Sequence, residues 1–230
     1  LFENALAFAR VEIKHSWSKW NQPVDYKEWG MPAHMVNAYY NPQKNLIVFP
    51  AAILQAPFYD LHQSSSANYG GIGAVIAHEI SHAFDTNGAS FDENGSLKDW
   101  WTESDYAAFK EKTQKVIDQF DGLESYGATI NGKLTVSENV ADLGGIAAAL
   151  EAAKREKDFS AEEFFHNFAR IWRMKGRPEL MKLMASVDVH APAKLRVNVQ
   201  VPNFDDFFTT YDVKEGDGMW RAPEDRVIIW

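Results

Sequence analysis

Residues 78–82 read His78-Glu79-Ile80-Ser81-His82, inside an apolar run from Ile72 to Phe84 that follows Tyr69-Gly70-Gly71. The run predicts a buried helix, with Ile72, Val75, Ile76, Ile80 and Ala83 supplying its apolar bulk. Residues four apart on a helix share a face, so both imidazoles can reach one metal ion. Glu79 sits one step round, close enough to touch a water on that metal. Two neutral imidazoles and a carboxylate base are what metal-assisted peptide hydrolysis requires.

A catalytic zinc takes three protein ligands and keeps a position for water. The extended pattern with a third His six residues on needs Gly at 85 and His at 88, where this chain has Asp85 and Gly88. Glu103 is near enough downstream, but it follows Thr102 and reads as a first-turn helix residue. Glu138 is the other candidate, in Glu138-Asn139-Val140-Ala141-Asp142. Glu138 and Asp142 share a helix face, so Glu138 can ligate zinc while Asp142 bonds the free nitrogen of a ligating His. The same spacing is also met if Glu138 completes a capping box with Thr135 and Asp142 is solvated.

Around these motifs the pattern is mainly helical. Leu1 to Trp20 predicts a helix and Asn21 to Pro32 a loop. Met35–Tyr40 and Leu46–Phe49 predict two strands about an Asn41-to-Asn45 turn, ended by Pro50. Asp85 to Gly95 reads as a plain turn, without the ligand ladder of a calcium loop. Thr102 opens a helix to Phe120, and Gly127–Leu134 predicts a hairpin with Asn131-Gly132 at its tip. A third major helix is expected from Ser137 to Lys157, where Gly144-Gly145 signals close packing on a neighbour. Ser160 caps a fourth, Pro178–Ala185 a short fifth, and the tail after His190 reads as loop with an amphipathic piece at Phe204–Tyr211. His190 and Arg196 fall six apart on a Pro-containing loop, so both can face one cleft, or be a surface histidine and a solvated charge.

Composition narrows the class. The chain has 230 residues, a formal net charge of -9, 46% hydrophobic residues and eight Trp. The acidic balance argues against nucleic-acid binding. With no cysteine, thiolate zinc sites, disulfides and cysteine nucleophiles are excluded together. No stretch has the apolar length of a membrane span. The start at Leu1-Phe2-Glu3, without Met or a signal-peptide pattern, leads us to expect a segment of a longer chain.

The landmarks together resemble the C-terminal catalytic part of the neprilysin-like zinc endopeptidases, peptidase family M13, and among them the bacterial oligopeptidase O branch. They are Val36-Asn37-Ala38-Tyr39-Tyr40, Asn68 through Asp85, Trp100-Trp101, Glu138 through Gly145, Asp188-Val189-His190, Arg196-Val197 and Trp230. The resemblance implies an α+β, mainly helical, thermolysin-like (gluzincin) domain with a small sheet over 1–230. It implies one zinc per chain, held by His78, His82 and Glu138, with Glu79 as general base and Asp142 orienting His78. His190 would stabilise the tetrahedral intermediate and Arg196 bind a substrate carbonyl. Asn37 and Ala38 would pair with the substrate backbone as an edge strand, while Phe58, Val75 and Trp172 would line the pocket for an apolar side chain after the cut bond. The implied partners are peptides and an N-terminal helical lid domain of the same chain. The lack of cysteine fits a bacterial, cytoplasmic member of a family whose animal ectodomains carry disulfides. Departures from the family pattern are Ala77 before the first His and Val197-Asn198-Val199-Gln200 in place of a Gly-containing turn. The alternative from another class is a non-catalytic binding or adhesin module on a peptidase scaffold, which loss of Glu79 or of a ligand would have favoured.

Overall fold

The computed structural model describes residues 1–230, in two compact units, Leu1–Pro32 and Ala33–Trp230. The first is built on α1 (Phe2–Ser18), none of whose residues is buried. Within it Lys19 Nζ donates to Glu28 Oε1 at 2.5 Å, and His15 Nε2 stands 2.9 Å from the same oxygen.

The second unit begins with an antiparallel pair, β1 (Tyr39–Asn41) and β2 (Leu46–Val48), in which Tyr39 faces Val48 and Asn41 faces Leu46. The strand expected from Met35 therefore starts at Tyr39, leaving Asn37 and Ala38 outside it. Continuing the register would set Asn37 opposite Pro50, which has no N–H to give. The Ala38 N–H is taken locally, by Asn37 Oδ1 at 3.0 Å.

The helical run that carries the histidines has three parts. Ser64 caps α2 (Ser65–Asn68), which passes through one wide π turn, Tyr69–Gly73, into α3 (Ala74–Ser81). His82 is the C-cap of α3 and still has helical angles, φ -60° and ψ -22°. The expected apolar bulk is only partly inside: Ile72 is buried, whereas Ile76 and Ile80 are 37% and 50% exposed. The buried face of α3 is instead Ala74, His78, Glu79 and Ser81.

Thr102 caps α4 (Glu103–Phe120) by accepting from Asp105 N, which puts Glu103 in an exposed first turn as expected. A tight hairpin follows, β3 (Glu124–Ser125) with β4 (Ala128–Thr129), turning at Tyr126 and Gly127 with φ of 53° and 73°. Positive φ at both turn positions is what a two-residue hairpin needs. The tip expected at Asn131-Gly132 is thus displaced. Asn131 is a helix cap instead, its Oδ1 accepting from Lys133 N and Leu134 N. As a result α5 (Gly132–Ala153) starts five residues before the expected Ser137, and Thr135 lies inside it rather than capping it.

Ser160 caps α6 (Ala161–Ile171), followed by α7 (Pro178–Val187), α8 (Ala193–Asn198) and α9 (Asp205–Tyr211). The stretch around Arg196, expected as loop, is the helix α8, with Pro192 at its N-cap. No helix is long and apolar enough to cross a membrane.

Two apolar clusters meet on α5. Val140 and Leu143 pack with Phe109, Val116 and Phe120 of α4, while Ile146 and Leu150 pack with Phe164, Phe165 and Phe168 of α6 and Phe207 of α9. Between them α5 approaches α3 closely through Gly144 and Gly145. A Cβ on Gly145 would stand 2.8 Å from His78 N and 2.9 Å from Ala74 O. Those are backbone atoms and cannot turn aside. Gly145→Ala is therefore expected to force the helices apart and lower stability by about 1–2 kcal/mol net of the better helix propensity of Ala. Thermal unfolding would show it as a Tm lower by roughly 3–6 °C; an unchanged or raised Tm would refute the close contact.

Candidate active site

The close approach of α3 and α5 decides which side chains face each other. His78 lies on the buried face of α3, and four residues on His82 ends the same helix. From α5, Glu138 and Asp142 reach toward them, one turn apart. His78 Nε2 is 3.0 Å from His82 Nε2 and 3.3 Å from Glu138 Oε2, and His82 Nε2 is 3.5 Å from that oxygen. The structure thus brings together three atoms fit to hold one metal ion. Ligands about 2.0–2.1 Å from a tetrahedral zinc stand about 3.3 Å apart, which is the spacing found here. Glu138 Oε2 is buried and accepts no hydrogen bond. Two lone-pair nitrogens and a buried, unsatisfied carboxylate oxygen turned to one point are a donor set that fits zinc.

Each imidazole is backed by a carboxylate on its other nitrogen. His78 Nδ1 is 2.9 Å from Asp142 Oδ1, though off the line of a good hydrogen bond. His82 Nδ1 is 2.6 Å from Asp85 Oδ2, which also accepts from Ser137 Oγ at 2.6 Å. Asp85 Oδ1 accepts from Asn87 N and Gly88 N, both at 2.7 Å, so this 2% exposed carboxylate is locked on every side. Asp85 was not singled out as a site residue from sequence. Its signal was available: it follows His82 by three, within reach once the helix ends at His82.

The electrostatics call for positive charge at the centre. Burial would raise the Glu138 carboxyl, but contacts with His78 and His82 outweigh it and hold it far below the usual range. Burial would lower His82, yet Asp85 and Glu138 push it up to about 10. His78 is raised in the same way, against burial, by Asp142 and Glu138. A divalent cation satisfies the field that these protons answer. Glu79 is 5% exposed, and burial, reinforced by the charge of Glu138, raises its carboxyl above the ordinary value.

The remaining predicted residues divide. His190 comes to the site: its Nε2 is 3.3 Å from Glu138 Oε2, and its Nδ1 is 2.8 Å from Asp188 Oδ1, a partner the sequence reading did not assign. Arg196 is placed behind the site, 6% exposed. Its Nε and Nη2 donate to Asp142 at 2.7 and 2.6 Å, and its guanidinium carbon lies 3.9 Å from the Trp172 ring centre. The Asp142 carboxyl falls to about 2, because Arg196 and His78 outweigh its burial. Ala38, Phe58 and Val75 gather with Ile53 and Ile72 in one small apolar cluster. Trp172 packs against a different cluster, with Phe168 and Ala77. Asn37 is exposed before β1.

Known proteins resemble this chain in sequence and in fold. The sequence pattern described as Peptidase family M13 matches residues 37–227. The neutral endopeptidase of Lactococcus lactis subsp. lactis (strain IL1403) is 58% identical over 230 residues, covering all of this chain and 37% of that protein. The crystal structure of PepO from Lactobacillus rhamnosis HN001 superposes with a TM-score of 0.87 at 48% identity, over 90% of this chain and 33% of that one. The Mycobacterium tuberculosis zinc metalloprotease Zmp1, solved in complex with an inhibitor, gives a TM-score of 0.89 at 40% identity, over 94% of this chain and 36% of that one. The chain spans about a third of the length of these relatives. With its mainly helical, thermolysin-like architecture and a sequence pattern matched almost from end to end, the chain belongs to Peptidase family M13.

Proposed function

We propose that this chain carries the catalytic centre of a zinc-dependent endopeptidase that cuts oligopeptides on the amino side of bulky apolar residues. The observation that carries the reading is the convergence of His78, His82 and Glu138 beside a buried Glu79 that is not part of the donor set. These three residues would hold one zinc per chain. When bound, the ion supplies Lewis-acid polarisation of water and of the scissile carbonyl.

The residues of the chain account for the rest. Glu79 takes a proton from the attacking water, aided by a carboxyl that burial raises above its ordinary value, and returns it to the leaving amine as the C–N bond breaks. His190 donates to the oxygen on which negative charge develops. Arg196, with Nε and Nη2 committed to Asp142, offers its remaining Nη1 to a substrate carbonyl. Asn37 and Ala38 lie next to β1, where an extended peptide would pair once Asn37 Oδ1 releases the Ala38 N–H. Phe58 and Val75 on one side and Trp172 on the other supply apolar wall for the residue after the cut. An N-terminal helical lid domain of the same chain, implied by the family resemblance, would close over this cleft.

The test is to incubate the intact protein with a peptide mixture, with and without a chelator, and map the cuts. Cleavage before bulky apolar residues, lost on chelation and restored by zinc, is expected; insensitivity to chelation would defeat the reading. A second expectation concerns Asp85. Asp85→Asn should weaken zinc binding by about 10- to 100-fold, because His82 loses the charge that fixes its ring and raises its basicity. Competition against a chromogenic chelator measures this, and an unchanged affinity would show that Asp85 only braces the loop at Asn87 and Gly88.

A further inference from the structure

Ser137 comes just before Glu138 on α5, and the two side chains serve different parts of the metal centre. Glu138 Oε2 stands 3.3 Å from His78 Nε2 and 3.5 Å from His82 Nε2. Ser137 reaches instead to Asp85, its Oγ donating to Oδ2 at 2.6 Å, and that same oxygen is 2.6 Å from His82 Nδ1. The Ser137 oxygen is itself occupied, accepting from Asn87 Nδ2 at 3.0 Å. With that lone pair taken, the hydroxyl hydrogen is left to point at Asp85. A line of hydrogen bonds therefore runs from exposed Asn87 through Ser137 and Asp85 to His82.

Asp85 needs a tie of this kind. The helix α3 ends at Ser81 with His82 as its C-cap, so Asp85 sits on a loop whose backbone the helix no longer fixes. Its bonds from Asn87 N and Gly88 N, both at 2.7 Å, are made within that loop and move with it. Ser137 belongs to another element, 52 residues away in the chain, and holds the carboxylate against α5. A carboxylate offers about four lone-pair sites, and these meet the donors of Ser137, Asn87, Gly88 and His82. His82 thus faces Asp85 as Nδ1–H, which leaves its Nε2 lone pair turned to the metal position.

We propose that Ser137 is a positioning residue of the metal centre: it holds Asp85 so that His82 keeps its ring orientation and tautomer, and it ties His82 to the turn of α5 that carries Glu138. The helix itself does not require Ser here, because Ala is the better helix former. The position is half-buried, so removing the hydroxyl opens no core cavity. The inference rests on the zinc reading above and concerns hold on the ion.

The experiment strips the intact protein of metal and titrates it with zinc against a chromogenic chelator. A direct partner of a ligating His is worth about 10- to 100-fold in affinity, and Ser137 stands one bond further out, so Ser137→Ala should weaken zinc binding by about three- to tenfold. Ser137→Thr keeps the hydroxyl and should restore the wild-type affinity. Asn87→Ala leaves the backbone N–H on Asp85 and removes only the amide on Ser137, so its loss should be smaller, roughly twofold. Because Asn87 acts through Ser137, Ser137→Ala/Asn87→Ala should bind zinc no more weakly than Ser137→Ala alone. Cobalt in place of zinc gives a second readout. Its ligand-field absorption should shift in Ser137→Ala and return in Ser137→Thr, a response that a change in fold stability alone does not produce. An unchanged zinc affinity and cobalt spectrum in Ser137→Ala, or an equal loss in Ser137→Thr, overturns the proposal. Wild-type protein that binds no zinc would overturn the zinc reading itself, whereas tight wild-type binding that ignores Ser137 removes the positioning role alone.

Discussion

Glu79→Gln in the intact protein should lower kcat/KM by about 10³-fold or more while zinc stays at one per chain. A positioned general base is worth about 10²- to 10⁴-fold, and an amide of the same shape cannot accept the proton. Zinc should stay because the converging donor atoms come from His78, His82 and Glu138, and Glu79 is not among them. Stability should not suffer either. Glu79 is 5% exposed and burial already disfavours its charge, so a neutral amide is easier to keep inside. The three readouts, peptide kinetics, metal analysis and thermal unfolding, must therefore separate. Retained turnover would remove Glu79 from the role of base, and loss of zinc would place it among the ligands.

How far the sequence revealed this site depends on how each residue reaches it. His78 and His82 were legible because a four-residue spacing within one helix is local information. Glu138 stood open between zinc ligand and capping-box partner of Thr135, because the approach of two helices is not written in either one. Gly144-Gly145 did announce that approach, since two glycines inside a helix are tolerated where a neighbour comes within backbone distance. What misled was punctuation with two meanings. Asn131-Gly132 suits a hairpin tip as well as a helix start, and the chain uses Tyr126-Gly127 for the first and Asn131 for the second. The strand expected from Met35 failed on the missing N–H of Pro50, visible only once the register was known. The same limit hid α8. Pro192 reads as a loop residue until it is seen to cap a helix, and with that change Arg196 moves from an exposed loop to a buried fork on Asp142.

That fork carries the second large expectation: Arg196→Met should cost about 3–5 kcal/mol of stability, out of proportion to any loss of substrate contact. Asp142 is 3% exposed, and its carboxyl lies at about 2 because Arg196 and His78 oppose its burial. With Arg196 gone, the carboxylate stays buried with only His78 beside it, and Trp172 loses the guanidinium over its ring. Arg196→Met/Asp142→Leu should regain much of the loss, since a buried ion pair and an apolar pair of similar volume are often near equal in stability. Recovery of fold need not bring recovery of function. The double variant has no carboxylate behind His78, so zinc affinity should remain weakened by about 10-fold or more, and no Nη1 is left for a substrate carbonyl. Unfolding in urea must be compared in metal-free protein, because bound zinc adds its own stabilisation to any variant that retains it. If Arg196→Met unfolds like the wild type, the charge pair is not what holds α8 against α5. If the double variant regains both stability and zinc, Asp142 is a structural partner of Arg196 and not the residue that orients His78.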